Sequence, residues 1–323
     1  MRRRDFITLL GGAAVWPLAV RAQQAPPVVA VLSNAAPSEN QGRALAALRR
    51  GLEQSGYADG RNVTVEFYLS DTQRMPSNLA VLVSRRVSVI VTAGNTVALL
   101  AKAATRSIPI VFGIGGDPVD LGLVASLARP GGNLTGFTNL NNELEAKRFE
   151  ILAELVPGAA TIAVVLYPGS PISDSKLREL EPAARRLGRQ LRVLKAGNEA
   201  ELEKAFVTAA DEHVGALQIS TDNFFNSQAE RLAVLASRQA VPSISGVRDF
   251  ATGGGLASYG TNVEGEWRQM GIYAGRILKG EKPADLPVVQ SAQFELVLNL
   301  KAARALGLTV PLPLLGRADE AIE

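Results

Sequence analysis

Short apolar runs rich in β-branched residues alternate with stretches of helical periodicity along this chain, the pattern of βαβ units and parallel sheets. Val28–Leu32 reads as a buried strand ending at Ser33-Asn34. Arg43–Ser55 follows as a helix with Leu45, Leu48 and Leu52 on one face, closed by Gly56. Val63–Tyr68 is the second strand, and Met75–Arg86 the second helix. Val87–Thr92 is a third strand that stops at Ala93-Gly94-Asn95-Thr96, from which a helix runs to Thr105. Ile108–Phe112 is the fourth strand, ending at Gly113-Ile114-Gly115-Gly116-Asp117. Asp117-Pro118 predicts a helix N-cap followed by proline at the first helical position. Leu134–Phe137 is a fifth strand.

The series then starts again. Helices are predicted over Glu143–Leu155, Ser175–Leu187, Glu199–Ala210 and Gln228–Arg238. Between them lie strands at Thr161–Leu166, Leu191–Leu194, Ala216–Ser220 and Pro242–Ser245. The same order of elements thus recurs after about 130 residues, which predicts two similar α/β lobes rather than one long sheet. Beyond Gly253-Gly254-Gly255 come a strand near Leu256–Gly260, an amphipathic helix over Glu264–Lys279, a strand at Phe294–Asn299 and a helix at Leu300–Leu306. These late elements must return to one lobe or the other, so several segments cross between lobes and form a hinge. The expected division is residues 23–138 with 256–286 in the first lobe, and 139–255 with 287–323 in the second. The hinge is expected near 138–142, 255–262 and 282–290.

Ligands of open α/β sheets lie at the carboxyl ends of strands, beside the N-termini of the helices that follow. Here those ends are small and polar: Ser33, Asn34, Asn95, Thr96, Gly115, Gly116, Asp117, Asn139, Asp222, Asn223, Ser245 and Gly246. Singly, each is as well explained as a helix cap; as a set facing one cleft they favour a ligand site. Tyr167 and Tyr259 could supply an apolar wall. Asp222 suits a ligand ammonium group, and the helix N-terminus at Thr96 suits an anionic one. Trp267 and Met270, on the late amphipathic helix, read as core.

Charge and leader change the picture at the N-terminus. Arg2-Arg3-Arg4-Asp5-Phe6-Ile7, an apolar run from Leu9 to Val20 and the small-residue close Val20-Arg21-Ala22 form an export signal of twin-arginine type over residues 1–22. The run is too short to span a bilayer, which needs roughly 20 apolar residues. Of 34 basic and 31 acidic residues, this segment holds four and one, leaving 30 of each. A neutral mature chain argues against a nucleic-acid partner and against broad attraction to anionic membrane. The chain has no cysteine, so stability in an oxidising compartment rests on packing.

Enzyme readings fare poorly. His213 is the single histidine, which removes most zinc sites and histidine-based catalytic sets, and its place just before a strand suits a loop residue. Gly113-Ile114-Gly115-Gly116-Asp117-Pro118 starts like a dinucleotide fingerprint but carries Pro118 where the third glycine belongs. Neither a Gly-x-Ser-x-Gly elbow with a usable histidine nor a Gly-Lys-Ser/Thr phosphate loop is present. Asp117, Asp120 and Asp222 could be paired carboxylates, but nothing in the spacing brings them together. No cofactor or metal is expected.

Several stretches carry a family resemblance. They include Gly56-Tyr57 with Gly60-Arg61-Asn62-Val63, Gly116-Asp117-Pro118-Val119, Arg129-Pro130-Gly131-Gly132-Asn133-Leu134-Thr135-Gly136 and Leu155-Val156-Pro157-Gly158. Ile277-Leu278-Lys279-Gly280-Glu281-Lys282-Pro283 and Ala305-Leu306-Gly307-Leu308-Thr309-Val310-Pro311 complete the set. The chain resembles the ABC-transporter substrate-binding proteins of the tryptophan/tyrosine type, with the type I periplasmic binding fold. The resemblance implies two doubly wound lobes that close on a small organic solute, and delivery of that solute to an ABC permease in the inner membrane. It places Asn95-Thr96 and Asp222-Asn223 in the cleft, with Val97 standing where the family often has proline. A soluble periplasmic importer component follows, with no stable membrane insertion once the signal is cleaved. A ligand sensor of the same fold is the alternative, and a periplasmic hydrolase a more distant one.

Overall fold

A computed structural model describes residues 25–34, 39–139, 141–291 and 294–323. The export signal expected over residues 1–22 lies outside them. The chain opens with β1 (Val28–Ser33), α1 (Glu39–Gln54), β2 (Thr64–Leu69), α2 (Met75–Arg85), β3 (Val89–Ala93), α3 (Asn95–Ala104), β4 (Ile110–Ile114) and β5 (Leu134–Thr138). It continues with α4 (Asn141–Leu155), β6 (Thr161–Leu166), α5 (Ser173–Arg186), β7 (Gln190–Lys195), α6 (Glu199–Asp211) and β8 (Ala216–Ile219). Then come α7 (Asn223–Asn226), α8 (Ala229–Arg238), β9 (Ser243–Ser245), α9 (Arg248–Thr252) and β10 (Ala257–Thr261). The last part holds α10 (Val263–Leu278), β11 (Val289–Gln290), β12 (Phe294–Asn299), α11 (Leu300–Ala305), α12 (Leu312–Leu315) and β13 (Glu320–Ile322).

Among the described residues the strands form two sheets. The first runs β2-β1-β3-β4-β5-β11, the second β7-β6-β8-β9-β10-β12-β13. Strands one to five of each half therefore repeat one winding order, and both sheets reverse direction beside their first strand. All pairings are parallel except β10 with β12. This is a pair of doubly wound α/β lobes.

The near-continuous apolar strands are buried on both faces, as parallel sheets require. β1 and β3 pack against α1 and α10 through Leu48, Leu52, Trp267 and Met270 on one side. On the other side Met75, Leu79, Val97 and Ala98 of α2 and α3 cover the sheet. The second sheet is covered likewise, with Phe149, Leu152 and Leu180 on one face and Phe206, Leu232 and Phe250 on the other. Each of the buried Val, Leu, Met and Phe side chains contributes about 1.5–3 kcal/mol through burial.

Two segments fall outside the division expected from sequence. Residues 257–261 form β10 and pair with β9 and β12, so they belong to the second sheet. Residues 289–290 form β11 and pair with β5 of the first. The chain consequently passes between sheets after Thr138, after Thr261 and after Gln290. The Asp117-Pro118 segment starts no helix. It forms a turn in which Asp117 Oδ1 accepts from the amides of Val119 (2.7 Å) and Asp120 (3.2 Å).

Candidate functional site

The carboxyl ends of the two sheets face each other across one cavity. Its floor in the first lobe comes from Asn34 after β1, Ala93-Gly94-Asn95-Thr96 between β3 and α3, and Gly113–Gly115 at the end of β4. Thr221, Asp222, Asn223 and Asn226 after β8 face them from the second lobe. Asn139, at the first crossing, and Val263, Glu266, Trp267 and Met270 of α10 form the hinge-side wall. β1 and β3, like β6 and β8, flank the winding reversal of their sheets, the place where such folds bind ligands.

Local chemistry explains why the loops sit as they do. Gly94 has φ +102°, a conformation side chains avoid, and a Cβ there would approach the Asn223 amide nitrogen to 3.0 Å. The chain can thus turn sharply from β3 into α3 and present the first turn of that helix to the cavity. Asn95 reaches across to β4, its Oδ1 accepting from the amides of Gly115 (3.2 Å) and Gly116 (3.1 Å). The Thr138 hydroxyl donates to the Gly116 carbonyl at 2.8 Å. Asp222 is the N-cap of α7, accepting from the Phe224 amide at 3.0 Å.

Beneath Thr221-Asp222 lies a buried charge cluster. Arg148 stands 3.1 Å and Lys176 3.7 Å from Glu145 Oε1, and all three side chains are at most 1% exposed. Glu145 also accepts from the Thr221 amide (2.9 Å) and from Gln218 Nε2 (2.6 Å). Lys176 donates to the Thr221 carbonyl, and Arg148 Nη1 to the Tyr259 carbonyl at 3.0 Å. Burial alone would raise the Glu145 carboxyl, but Arg148, Lys176 and these hydrogen bonds hold it below its ordinary range. Burial pushes Asp222 up, against Lys176, the Phe224 amide and the Ser170 hydroxyl. Burial pushes Glu266 up to about 7, with the Thr261 and Asn139 side chains opposing it.

The lobes also touch directly. Asn223 Nδ2 donates to the Ala93 carbonyl at 2.6 Å and Thr96 Oγ1 to the Gly169 carbonyl at 3.4 Å. Arg43 of α1 is 2.5 Å from Asp249 of α9. The two lobes are thus in contact across the cavity.

Of the residues singled out from sequence, Asn34, Asn95, Thr96, Gly115, Asn139, Asp222 and Asn223 line the cavity. The others stand outside the lining. Ser33 is the buried last residue of β1, and Gly116 is tied to Asn95 and Thr138. Asp117 closes its own turn. Tyr167 stacks on Phe224 and Phe225, and Tyr259 lies against Phe294. Ser245 is buried, and Gly246 is packed against Gly260 of β10. Val263, Glu266, Trp267, Met270 and Asn226 line the cavity although sequence reasoning passed over them as site residues. One signal was available: Glu266 interrupts the apolar stripe of Val263, Trp267, Met270 and Ala274 on α10.

Over residues 33–322 the chain matches the family described as ABC transporter substrate binding protein. The tyrosine-binding protein of Clostridioides difficile (strain R20291) is 26% identical over 260 residues, covering 80% of this chain and 74% of that protein. The crystal structure of a conserved domain protein from Vibrio cholerae superposes with a TM-score of 0.83 at 28% identity, over 91% of this chain and 99% of that one. An ABC domain from Streptococcus pneumonia in complex with L-Trp gives 0.81 at 24% identity, over 92% and 100% of the two chains. Two lobes of type I periplasmic binding topology, a cavity between their strand ends and this family match lead to one conclusion: the chain belongs to the ABC transporter substrate-binding protein family.

Proposed function

We propose that this protein is the periplasmic solute receptor of an ABC importer and binds an amino-acid-like zwitterion between its lobes. The observation that carries the reading is the polarity of the cavity. The first turn of α3 opens into it at Gly94-Asn95-Thr96 of the first lobe; the carboxyl group of Asp222 faces it from the second lobe, and that of Glu266 stands on the hinge-side wall. Helix N-termini favour anions, because unpaired amides and the helix dipole point outward. Carboxylates favour cations, through charge-assisted hydrogen bonds. One ligand bearing both charges satisfies both walls and draws the lobes together. Relatives named for tyrosine binding and solved with L-Trp support this class of ligand.

In this reading residues 25–138 with 263–290 move as one lobe, and 141–261 with 294–323 as the other. A thermal-shift screen over the twenty L-amino acids, small acids, amines and sugars tests the ligand class. A stabilising L-amino acid that loses its effect without its amino or its carboxyl group is expected. Stabilisation by sugars or simple acids alone overturns the reading. Delivery to a permease and export through residues 1–22 complete the proposal. No helix among the described residues is long and apolar enough to cross a membrane. N-terminal sequencing of periplasmic protein should begin at or near Gln23, and Arg3→Lys with Arg4→Lys should leave the precursor in the cytoplasm. A secreted form that retains the apolar run contradicts the export step.

A further inference from the structure

The hinge corner of the cavity holds a carboxyl group that no cation faces among the described residues. Glu266 sits in the first turns of α10, just past the second crossing, and its Oε2 accepts from Asn139 Nδ2, at the first crossing, at 3.3 Å. Its Oε1 is buried, and the Thr261 side chain of β10 is the other polar neighbour of the carboxyl group. The groups around it are neutral or acidic. α3 presents Asn95 and Thr96, β4 presents backbone, and the second lobe presents Asp222. On α10 itself, Glu264 is exposed and paired with Arg43 and Arg50 outside the cavity. The nearest buried cations in the second lobe, Arg148 and Lys176, are committed to Glu145. Three carboxyl groups, Glu145, Asp222 and Glu266, thus share two buried cations, and the closed cleft is one positive charge short.

Glu266 is half-buried, with its Oε1 shielded from water; a charge held there without a partner is costly, and a carboxyl group escapes the cost by keeping its proton. We propose that Glu266 holds a proton in the empty cleft and gives it up when the ammonium group of the solute takes this corner, so that binding releases a proton. The inference rests on the zwitterion reading above. The exchange balances: a neutral carboxyl group and a ligand ammonium become a carboxylate–ammonium pair, and the proton leaves to solvent. The carboxyl's position near 7 fits this role. Protons released equal the protonated fraction of the free protein, which falls as pH rises from 6 to 8. Because the cation selects the ionised form, affinity rises with pH over this range.

Calorimetry with the most stabilising L-amino acid, in phosphate and in Tris at pH 6, 7 and 8, reads this directly. Binding enthalpies should differ between the two buffers most at pH 6 and least at pH 8, while Kd tightens as pH rises. Glu266→Gln should remove both the buffer dependence and the pH dependence, with thermal unfolding confirming an intact fold; Asp222→Asn should keep both. An amino acid that binds with buffer-independent enthalpy at all three pH values overturns proton exchange and leaves the amino-acid reading standing. Proton release that survives Glu266→Gln and vanishes in Asp222→Asn overturns the assignment to Glu266. Failure of every amino acid to bind a folded protein overturns this inference together with the reading beneath it.

Discussion

Asn95 shows how much of the cleft one side chain can organise. Its oxygen satisfies two amides of the β4 loop while its backbone starts α3, so it fixes the floor on which a ligand would rest. Asn95→Ala strands the buried Gly116 amide and the half-buried Gly115 amide, and should cost about 1–3 kcal/mol in chemical denaturation. Asn95→Asp keeps the acceptor and should recover much of the loss. Equal stability of the alanine variant and the wild type would show that the bonds matter little. Glu266 works in the opposite sense. Its raised pKa means the folded protein holds this proton more tightly than the unfolded chain, so stability contributed here falls as pH rises from the ordinary carboxyl range through about 7. Glu266→Gln should therefore lose less stability than the wild type between pH 5.5 and pH 8 in thermal unfolding; parallel curves would contradict this. The two residues also differ in legibility. Asn95 stands at a strand end, where the sequence pattern points. Glu266 stands mid-helix, where periodicity says which residues face inward but not whether inward means core or cavity. Tyr167 and Tyr259 show the converse: both follow or lie in strands of the second lobe, yet neighbouring aromatic rings claim their side chains.

At the scale of elements, the pairing of α1 with α10 sets the hinge-side wall of the site. The two helices are far apart in sequence and meet with almost no space between backbones. A Cβ on Gly51 would lie 1.9 Å from the Arg268 carbonyl oxygen, and one on Gly271 would lie 2.1 Å from that of Leu48. Gly271→Ala must push the helices apart, and overpacking of this kind costs about 1–3 kcal/mol. Because α10 carries Glu266, Trp267 and Met270, the same substitution should weaken ligand binding as well as lower the denaturation midpoint. Unchanged affinity alongside lost stability would show that the wall does not depend on this contact. The sequence pattern marks both helices, since each has an amphipathic face, but it does not name the partner of either. The same gap explains β10 and β11. A run such as Ala257-Ser258-Tyr259-Gly260-Thr261 looks like a strand, yet only pairing with β9 and β12 assigns it to the second lobe. β11, β13, α7 and α9 are too short for any periodicity to show.

For the whole molecule, the question is what holds the lobes closed. Among the described residues the lobes meet through Asn223–Ala93, Thr96–Gly169 and Arg43–Asp249. The Asn223–Ala93 hydrogen bond contributes about 0.5–1.5 kcal/mol. The Arg43–Asp249 pair, with side chains 41% and 22% exposed, contributes about 0.2–1 kcal/mol. These terms are small against the solvation and hinge freedom of an open form, so the ligand must supply most of the bias toward closure. The two-lobed repeat was legible from the order of elements, whereas the latching contacts were not, because each joins residues from opposite lobes. Asn223→Ala should weaken ligand binding by between about two-fold and ten-fold, and Arg43→Ala by at most about five-fold. Neither should alter the closed form reached at saturation, since the ligand still bridges both walls. Small-angle scattering on the wild type should give a smaller radius of gyration with saturating ligand than without it. Asn223→Ala should reach the same compact value, at higher ligand concentration. An identical radius with and without ligand, at saturation proven by calorimetry, would mean that the lobes do not move and that the solute enters a cleft already shut.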